Sequence, residues 1–349
     1  MEKVFTHPHI KGISATLPKN RLHLKELHFD GKAANDIIAM TGIEEIRTAD
    51  SDRTASDYCI DAARYLLHET GVSAETIDGI VFVSVHSDYR MPGSGYIVQE
   101  RLGIPKTAII MDLHQACSGY VGGLFQAFLL VQSSYCKNVL LCVGDTPTKS
   151  IHPKDKSLRM VMGDAGTATL VTKESYRESA FSFFNDGTGV QSLYIPAGGS
   201  RLPHQAGCTD IEEQDGDGNI RTKENMYMDG LSVMLFLLNS APDIIMDALS
   251  IVNWHKEQID IFAFHQANAL ILKTLSKRMH IPPDKVVNFL QFCGNTGSAS
   301  IPLALCGARS ATISAIWDKT VLCGFGSGLS CVAAVLSLKD TYFSSLHEL

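Results

Sequence analysis

The chain has 349 residues, of which 45% are hydrophobic and 19% are charged, and its formal net charge is −7. This length predicts about two domains, and the apolar content is sufficient for a large core, which excludes a mainly disordered protein. The acidic balance disfavours nucleic-acid binding, because that function requires a basic surface.

We recognise no signal peptide in the first residues and no apolar run long enough to span a membrane. The first eight residues lack the apolar stretch of a signal peptide, and the longest apolar run, 120–131, is shorter than the roughly 20 residues of a membrane span. The nine cysteines include no Cys-x-x-Cys pair, and most lie in apolar runs, as reduced buried thiols do. We expect a cytoplasmic protein with no membrane contact and no metal site, because no Cys or His pair has zinc-ligand spacing.

Apolar runs and helical spacings alternate along the first half of the chain. Helices are predicted at 60–67, 96–102 and 119–133, and strands at 80–85, 109–113, 139–143 and 168–171. Continuous apolar strands alternating with helices are typical of sheets that are buried on both faces. The sequence therefore predicts an α/β protein.

Three short segments of the first half recur in the second half, in the same order and at nearly the same spacing. They are 75–78 and 257–260, 101–105 and 278–282, and 137–144 and 319–326. Such self-similarity indicates an internal duplication. We predict two halves, 1–175 and 176–349, stacked as α/β/α/β/α layers, with an insertion around 198–224 that forms a solvated excursion or a lid near a pocket.

Cys117 lies between a predicted strand and a predicted helix. The small residues Ala116, Ser118 and Gly119 permit a sharp turn there, which would project the thiol at the helix N-terminus. The N–H groups at a helix start carry partial positive charge. We expect them to lower the thiol pKa by about two units from its usual value of about 8.5, so that the thiolate is the nucleophile.

Two polar residues of the second half stand in comparable places. His265 directly follows the predicted strand 262–264, and strand ends are where α/β proteins place ligands. Asn295 lies in a turn of small residues, 293–300, before a predicted helix that starts at Ile301. Taken singly, a histidine in the place of His265 is more often structural, and an asparagine in the place of Asn295 is more often a turn former.

Together with 324–328, these segments resemble the β-ketoacyl-acyl-carrier-protein synthase III family of the thiolase fold. The resemblance covers essentially the whole chain and is carried by the surroundings of Cys117, by His-Gln-Ala-Asn at 265–268, by Gly-Asn-Thr-Gly at 294–297 and, more loosely, by 163–168. It implies a duplicated thiolase-like fold, a homodimer, a Cys-His-Asn triad and a decarboxylative Claisen condensation.

The mechanism implied by the resemblance has two steps. Cys117 accepts an acyl group from coenzyme A or an acyl carrier protein, with an oxyanion hole made by the backbone N–H groups of Cys117 and Ser327. Malonyl-acyl carrier protein then loses carbon dioxide, and His265 and Asn295 donate hydrogen bonds to the enolate oxygen. The product is a β-ketoacyl thioester of fatty acid or related polyketide biosynthesis, and no cofactor is needed.

The chain departs from the family at coenzyme A contacts. No Trp precedes Thr41-Gly42-Ile43, and Leu270 stands where the family usually has an Arg. Lys156 lies where a second phosphate-binding Arg is expected, so part of a cationic site remains. These differences weaken the expectation of the usual coenzyme A contacts.

Other differences concern the carrier and the primer. Lys273, Lys277 and Arg278 fall on the helix after His265, where they could meet an acidic carrier or form an ordinary solvated face. Met91 stands where the family often has a Phe that lines the partner subunit's acyl tunnel. A flexible Met there would admit a longer or bulkier primer.

Alternative functions remain open at this point. A relative of the same family could transfer the acyl group to oxygen or nitrogen without decarboxylation, which would not need malonyl thioester. A degradative thiolase would need a second catalytic Cys, and Cys323 is near the right loop but lacks a Gly-His-Pro motif. From another class, the chain could be a non-catalytic partner of a second synthase, although such proteins usually lose the nucleophile.

Overall fold

A computed structural model describes residues 4–26, 34–174, 177–311 and 316–349. The helices are α1 (Ala34–Thr41), α2 (Ala55–Thr70), α3 (Gly95–Leu102), α4 (Gly119–Gln132), α5 (Lys156–Arg159), α6 (Gly230–Ile251), α7 (Ala269–Arg278) and α8 (Ser300–Ala311). The strands are β1 (Val4–Phe5), β2 (Pro8–Leu17), β3 (Arg21–His23), β4 (Glu45–Arg47), β5 (Gly79–Val83), β6 (Ile109–Leu113), β7 (Asn138–Asp145), β8 (Ala165–Lys173), β9 (Ser179–Asn185), β10 (Leu193–Tyr194), β11 (Glu213–Gln214), β12 (Ile220–Arg221), β13 (Tyr227–Met228), β14 (Ile261–Phe264), β15 (Thr320–Gly326), β16 (Ser330–Leu336) and β17 (Tyr342–Glu348).

The strands form two large sheets. The first has the order β17-β2-β8-β7-β5-β6, and the second has the order β1-β9-β16-β15-β14. Within each sheet a parallel pair, β5 and β7 or β14 and β15, continues through two antiparallel strands. The small pairs β3-β4, β10-β13 and β11-β12 lie outside these sheets.

Helices cover both faces of both sheets. α2 and α3 pack on the outer face of the first sheet, α4 and α8 lie between the sheets, and α6 and α7 cover the second sheet. The nearly continuous burial of β5, β7, β15 and β16 follows from this arrangement, because each of these strands has apolar neighbours on both faces. The layers are therefore α/β/α/β/α, and the predicted thiolase-like duplicated fold is confirmed.

The duplication extends to local detail. The carboxylate of Asp78, just before β5, accepts the N–H groups of Lys137 and Asn138 at 2.7 and 3.1 Å. The carboxylate of Asp260, just before β14, accepts the N–H groups of Asp318 and Lys319 at 2.8 and 2.8 Å. Each aspartate thus ties the start of one strand to the start of its parallel neighbour, which explains why the same short segment recurs in both halves.

The chain ends cross between the halves. β1, near the N-terminus, pairs with β9 in the second sheet, and β17, near the C-terminus, pairs with β2 in the first. The predicted boundary falls at residues 175 and 176, which lie outside the described residues, and it stays a prediction. The predicted insertion, 198–224, is part of a longer connection between β10 and β13 that holds the β11-β12 pair.

α6 is a longer apolar segment than the sequence analysis recognised. By length and composition alone it could cross a membrane, whereas we had taken 120–131 as the longest apolar run. In the fold, Leu237, Ala241, Ile244 and Ile245 of this helix are buried against the second sheet. We therefore interpret α6 as a core helix.

Candidate active site

A cavity of about 750 Å³ opens where strand ends of both sheets meet. Cys117, His265, Asn295 and Ser327 all line it, although they come from four separate segments of the chain. The structure therefore brings together the catalytic residues and the oxyanion-hole residues that the sequence predicted. A cavity of this size is in the range of small-molecule sites.

Cys117 lies between the end of β6 and the start of α4, as predicted. The glycine-rich end of β15 passes directly over it: a Cβ placed on Gly326 would lie 2.8 Å from the Cβ and 3.3 Å from the Sγ of Cys117. A Cβ on Gly324 would lie 2.8 Å from the Cα of Ser118. Only residues without side chains let the two backbones approach this closely.

The expectation of a low thiol pKa is wrong for the unliganded protein. Burial, with the nearby negative charge of Asp145, raises the pKa of Cys117 to about 12. The side chain is only 8% exposed, and the charge at the start of α4 does not compensate for lost hydration. Cys117 therefore rests as a thiol and must lose its proton during the reaction with a substrate.

His265 is a neutral imidazole at the end of β14. Its N–H donates to the carbonyl of Cys323 at 2.9 Å, and its ring packs edge-on against Phe325 at 5.2 Å. Burial lowers the pKa of His265 to about 3, against the opposing influence of Asp145. The ring is therefore uncharged at any physiological pH.

Ser300 is the hydrogen-bond partner of the His265 ring. The Ser300 Oγ lies 2.7 Å from His265 Nδ1 and accepts the backbone N–H of Gln266 at 3.3 Å. The hydroxyl still has its own proton to donate, and donation to Nδ1 would place the imidazole proton on Nε2. His265 then has a hydrogen-bond donor to offer to the cavity.

Asn295 is held by its backbone and by its amide oxygen. Its N–H donates to the carbonyl of Val161 at 2.8 Å, and its carbonyl accepts from Gly163 at 2.9 Å. Its Oδ1 accepts the N–H of Gly297 at 3.0 Å. This contact orients the amide so that Nδ2, which has no acceptor among the described residues, is the group free to donate.

The two predicted oxyanion-hole groups are also free. In the described parts of the chain, no other residue accepts the backbone N–H of Cys117 or that of Ser327. The hydroxyl of Ser327 donates to the carbonyl of Leu193 at 2.7 Å, which holds the glycine-rich loop against β10. The two N–H groups can therefore receive a substrate oxygen.

Asp145, at the end of β7, is a site residue that the sequence analysis missed. Its Oδ1 accepts from the Ser84 hydroxyl at 3.1 Å, from the Val85 N–H at 3.0 Å and from His86 Nδ1 at 3.1 Å. Its Oδ2 accepts from both the N–H and the hydroxyl of Ser298. Burial by itself would raise the pKa of Asp145, but these hydrogen bonds and the His86 ring lower it overall, so the carboxylate is ionised.

Asp145 joins the two halves of the molecule beside the nucleophile. It connects the segment after β5 to the loop that carries Asn295. The available signal was the polar residue that follows the apolar run 139–143 and Gly144, in the same way that His265 follows its strand. Ser300 gave no such signal, because its role depends on contact with a distant ring.

The predicted substrate- and carrier-binding residues do not line this cavity. Lys273, Lys277 and Arg278 are exposed on α7, whose Ile271 does line it. Lys156 is half-buried at the start of α5, where its N–H donates to Asn219 at 3.1 Å. Met91 is 86% exposed. In the described ranges, no cluster of three or more His, Cys, Asp or Glu side chains is arranged to hold a metal ion.

Comparisons of the sequence with known protein families and with individual relatives point to the same family. The sequence profile for 3-oxoacyl-[acyl-carrier-protein (ACP)] synthase III matches residues 111–188, and the profile for its C-terminal part matches 249–338. A β-ketoacyl-[acyl-carrier-protein] synthase III from Trichormus variabilis is 33% identical, over 93% of this chain and 96% of its own length.

Solved structures agree with the sequence matches. A crystal structure of a 3-oxoacyl-(acyl-carrier-protein) synthase III is 37% identical with a TM-score of 0.91, covering 95% of this chain and 99% of its own. A 3-oxoacyl-(acyl-carrier protein) synthase from Burkholderia xenovorans LB400 is 30% identical with a TM-score of 0.91, covering 99% and 98% of the two chains.

These matches extend over nearly the whole chain and include all the segments that build the cavity. They confirm the predicted family and fold, and they favour a condensing enzyme over an oxygen- or nitrogen-directed acyltransferase and over a non-catalytic partner. The chain belongs to the 3-oxoacyl-(acyl-carrier-protein) synthase III family of condensing acyltransferases.

Proposed function

We propose that this protein condenses an acyl group held on Cys117 with malonyl-acyl carrier protein, and that Cys117, His265 and Asn295 are its catalytic residues. The observation that carries the proposal is that these three side chains line one cavity although they come from separate segments of the two halves. No cofactor takes part, because both substrates are already activated as thioesters.

In the first step the Cys117 sulfur attacks the carbonyl carbon of an acyl thioester. A carbon–sulfur bond forms to Cys117, the bond to the donor sulfur breaks, and the thiol proton leaves with the departing thiol. The N–H groups of Cys117 and Ser327 stabilise the tetrahedral oxyanion. Because the resting thiol pKa is about 12, transfer of its proton accompanies the attack.

In the second step malonyl thioester binds and loses carbon dioxide. Negative charge develops on its carbonyl oxygen, and His265 Nε2–H and Asn295 Nδ2–H donate to that oxygen. A neutral imidazole and an amide suit this task, because each donates a hydrogen bond to the oxygen and keeps its proton. The enolate carbon then attacks the acyl group, which gives the β-ketoacyl thioester, and the released Cys117 thiolate takes up a proton.

The carrier protein is proposed to dock beside α7. Lys273, Lys277 and Arg278 are exposed there, and none of them has an ion-pair partner among the described residues. An acidic carrier would complement these charges and would deliver its pantetheine arm past Ile271 into the cavity. Lys156, near the cavity-lining Leu158, is proposed as a contact for a donor phosphate.

A homodimer in the cytoplasm is the proposed working form. β6 lies at the edge of the first sheet, and the large apolar side chains of Tyr89, Met91 and Tyr96 are exposed near it. Exposed edges and apolar side chains are commonly covered by another chain, and Met91 would reach the partner's acyl tunnel. No disulfide joins the cysteines within the described residues, which fits a reducing compartment.

The test supplies acyl-coenzyme A or acyl-carrier donors together with malonyl-acyl carrier protein. We expect an acyl mass increase on Cys117, release of carbon dioxide and a β-ketoacyl-carrier product. Acyl transfer to oxygen or nitrogen without carbon dioxide release would contradict the proposal. A folded protein that gains no mass from any donor would contradict it as well.

A further inference from the structure

The cavity is lined by two kinds of side chain. Leu193, Ile195 and Met226, from β10 and its connection to α6, are apolar and are called the apolar wall. Arg90, which is exposed in the segment after β5, and His114, which follows β6, are polar and are called the polar wall. A ligand that fills the cavity therefore meets both kinds of surface.

Arg90 is the only Lys or Arg among the described residues that line this cavity. Elsewhere the guanidinium groups of Arg47, Arg101 and Arg221 pair with carboxylates. For Arg90, no ion pair or hydrogen bond is found within the described ranges. A cationic group that faces a cavity without a protein partner is suited to an anionic ligand.

The acid that shares the cavity makes no ion pair with Arg90. Both oxygens of Asp145 bind other groups, namely Ser84, Val85 and His86 on one side and Ser298 on the other. His86 also has its partners, because its Nε2 lies 3.1 Å from the Ser150 hydroxyl. Arg90 is therefore a cationic cavity residue that is left without an ion-pair partner among the described residues.

The primer is the part of the substrate that shares the cavity with Arg90. Cys117 and Arg90 line the same cavity of about 750 Å³. The far end of an acyl chain carried on Cys117 is therefore placed to pair with the Arg90 guanidinium.

We propose that Arg90 binds the terminal carboxylate of a dicarboxylic primer, which is carried on Cys117 as its monothioester. The proposal rests on the proposed function and names the substrate class of the same site. The apolar wall receives the methylene groups of the primer, and Arg90 pairs with the carboxylate. The other possible source of negative charge is a phosphate of coenzyme A or of the carrier.

The experiment compares two donors that differ only in charge. Glutaryl-N-acetylcysteamine and its terminal amide have the same length, and neither contains phosphate. The rate of Cys117 acylation is followed by intact-protein mass spectrometry. We expect the wild-type protein to react roughly tenfold faster with the carboxylate than with the amide, since hydrogen bonds to charged groups are of that strength.

Variants assign the preference to the guanidinium. Arg90→Met should slow the carboxylate donor roughly tenfold and leave the amide donor unchanged. Arg90→Glu should disfavour the carboxylate further. Lys106→Met, which removes an exposed cation outside the cavity, is the matched control and should change neither rate.

Two outcomes would overturn this inference alone. One is adduct formation without any preference for the carboxylate. The other is an Arg90→Met variant that slows only coenzyme A donors, because Arg90 would then serve the phosphate. A wild-type protein that is folded and forms no Cys117 adduct with either of these donors, or with acyl-coenzyme A, would instead overturn the proposed function and this inference with it.

Discussion

The two halves present polar residues at corresponding strand ends but use them differently. After β5 and at the end of β7, Ser84, His86 and Asp145 bind one another and are hydrogen-bonded inside the protein. In the second half, the polar groups after β14 and β15 are His265 and Ser327. Both residues line the cavity, and no described residue accepts from His265 Nε2 or from the Ser327 backbone N–H.

A similar contrast separates the two loops that precede the inter-sheet helices. In the first half, β6 is a full strand and Cys117 stands just before α4. In the second half, the corresponding pairing is reduced to a single bridge between Phe262 and Val286, and a longer loop carries Asn295 before α8. One scaffold, used twice, thus places the proposed nucleophile in one half and the proposed hydrogen-bond donors in the other.

The largest expected effect follows from removing the nucleophile of the first half. Cys117→Ala should lower the rate of product formation by at least about 10⁴-fold, because Cys117 is the only cysteine among the described residues that line the cavity. Intact-mass measurement should show no acyl adduct. Cys142→Ala, which changes a buried thiol outside the cavity, is the control and should still form the adduct.

Removing a donor of the second half should affect only the second step. Asn295→Ala should slow carbon dioxide release by about 10²–10³-fold, because one hydrogen bond to the enolate is lost. Acylation of Cys117 should remain close to the wild-type rate. Asn239→Ala, at an exposed position of α6, serves as the control. An equal decrease in the rates of Cys117 acylation and of carbon dioxide release would contradict this division between the halves.

The hydroxyl of Ser300 should have a smaller effect on the same step. Ser300→Ala removes the donor to His265 Nδ1, so the Nε2–H tautomer is no longer favoured, and carbon dioxide release should slow about tenfold. Nitrogen NMR of the His265 ring should show the change of tautomer. Ser276→Ala removes another buried hydroxyl, one bonded to Leu272, and should leave the ring unchanged. An unaltered tautomer in Ser300→Ala would refute this role.

The charge of Asp145 should be visible in the pH dependence of Cys117 alkylation. The carboxylate disfavours the thiolate and so raises the pKa of Cys117. Asp145→Asn removes the charge, and the alkylation midpoint should move to lower pH by roughly half a unit or more. Asp247→Asn, at an exposed position of α6, should leave the midpoint unchanged. A shift to higher pH would contradict the electrostatic explanation.

The smallest expected effect is an absence of titration. Because burial lowers the pKa of His265 to about 3, its ring should stay neutral from pH 5 to pH 8. NMR of the ring should show no titration in that range. The neutral form costs stability only as the pH falls below the pKa of a histidine in the unfolded chain, about 6.5, where the unfolded chain binds a proton that the folded one does not.

Much of the fold was predictable because its signals are local. Strand β6 and helix α4 were predicted almost to the residue, since apolar runs bounded by glycine and small residues are strong signals. The aspartates that recur before β5 and β14 play the same structural role in both halves, since each accepts two backbone N–H groups at the start of the neighbouring strand. The swapped ends, β1 and β17, left no local signal, because pairing of distant strands depends on the assembled sheets.

The candidate site, like the fold, has features that the sequence predicts and features that depend on contacts between distant segments. Cys117, His265 and Asn295 were predicted from their positions at the ends of predicted elements together with the family resemblance of the motifs around them. The pKa of Cys117 was wrongly predicted, because the helix start was visible in the sequence while the burial and the charge of Asp145 were not. Ser300 was missed for a related reason: it acts through a contact between segments far apart in the chain.

The most direct test of the division between the halves is the fate of the acyl group in a His265→Ala variant. The variant is mixed with an acyl donor and malonyl-acyl carrier protein, and protein mass and carbon dioxide are followed together. We predict a full acyl adduct on Cys117 that persists, with almost no carbon dioxide released. A folded variant that forms no adduct, or one that releases carbon dioxide at the wild-type rate, would contradict the account.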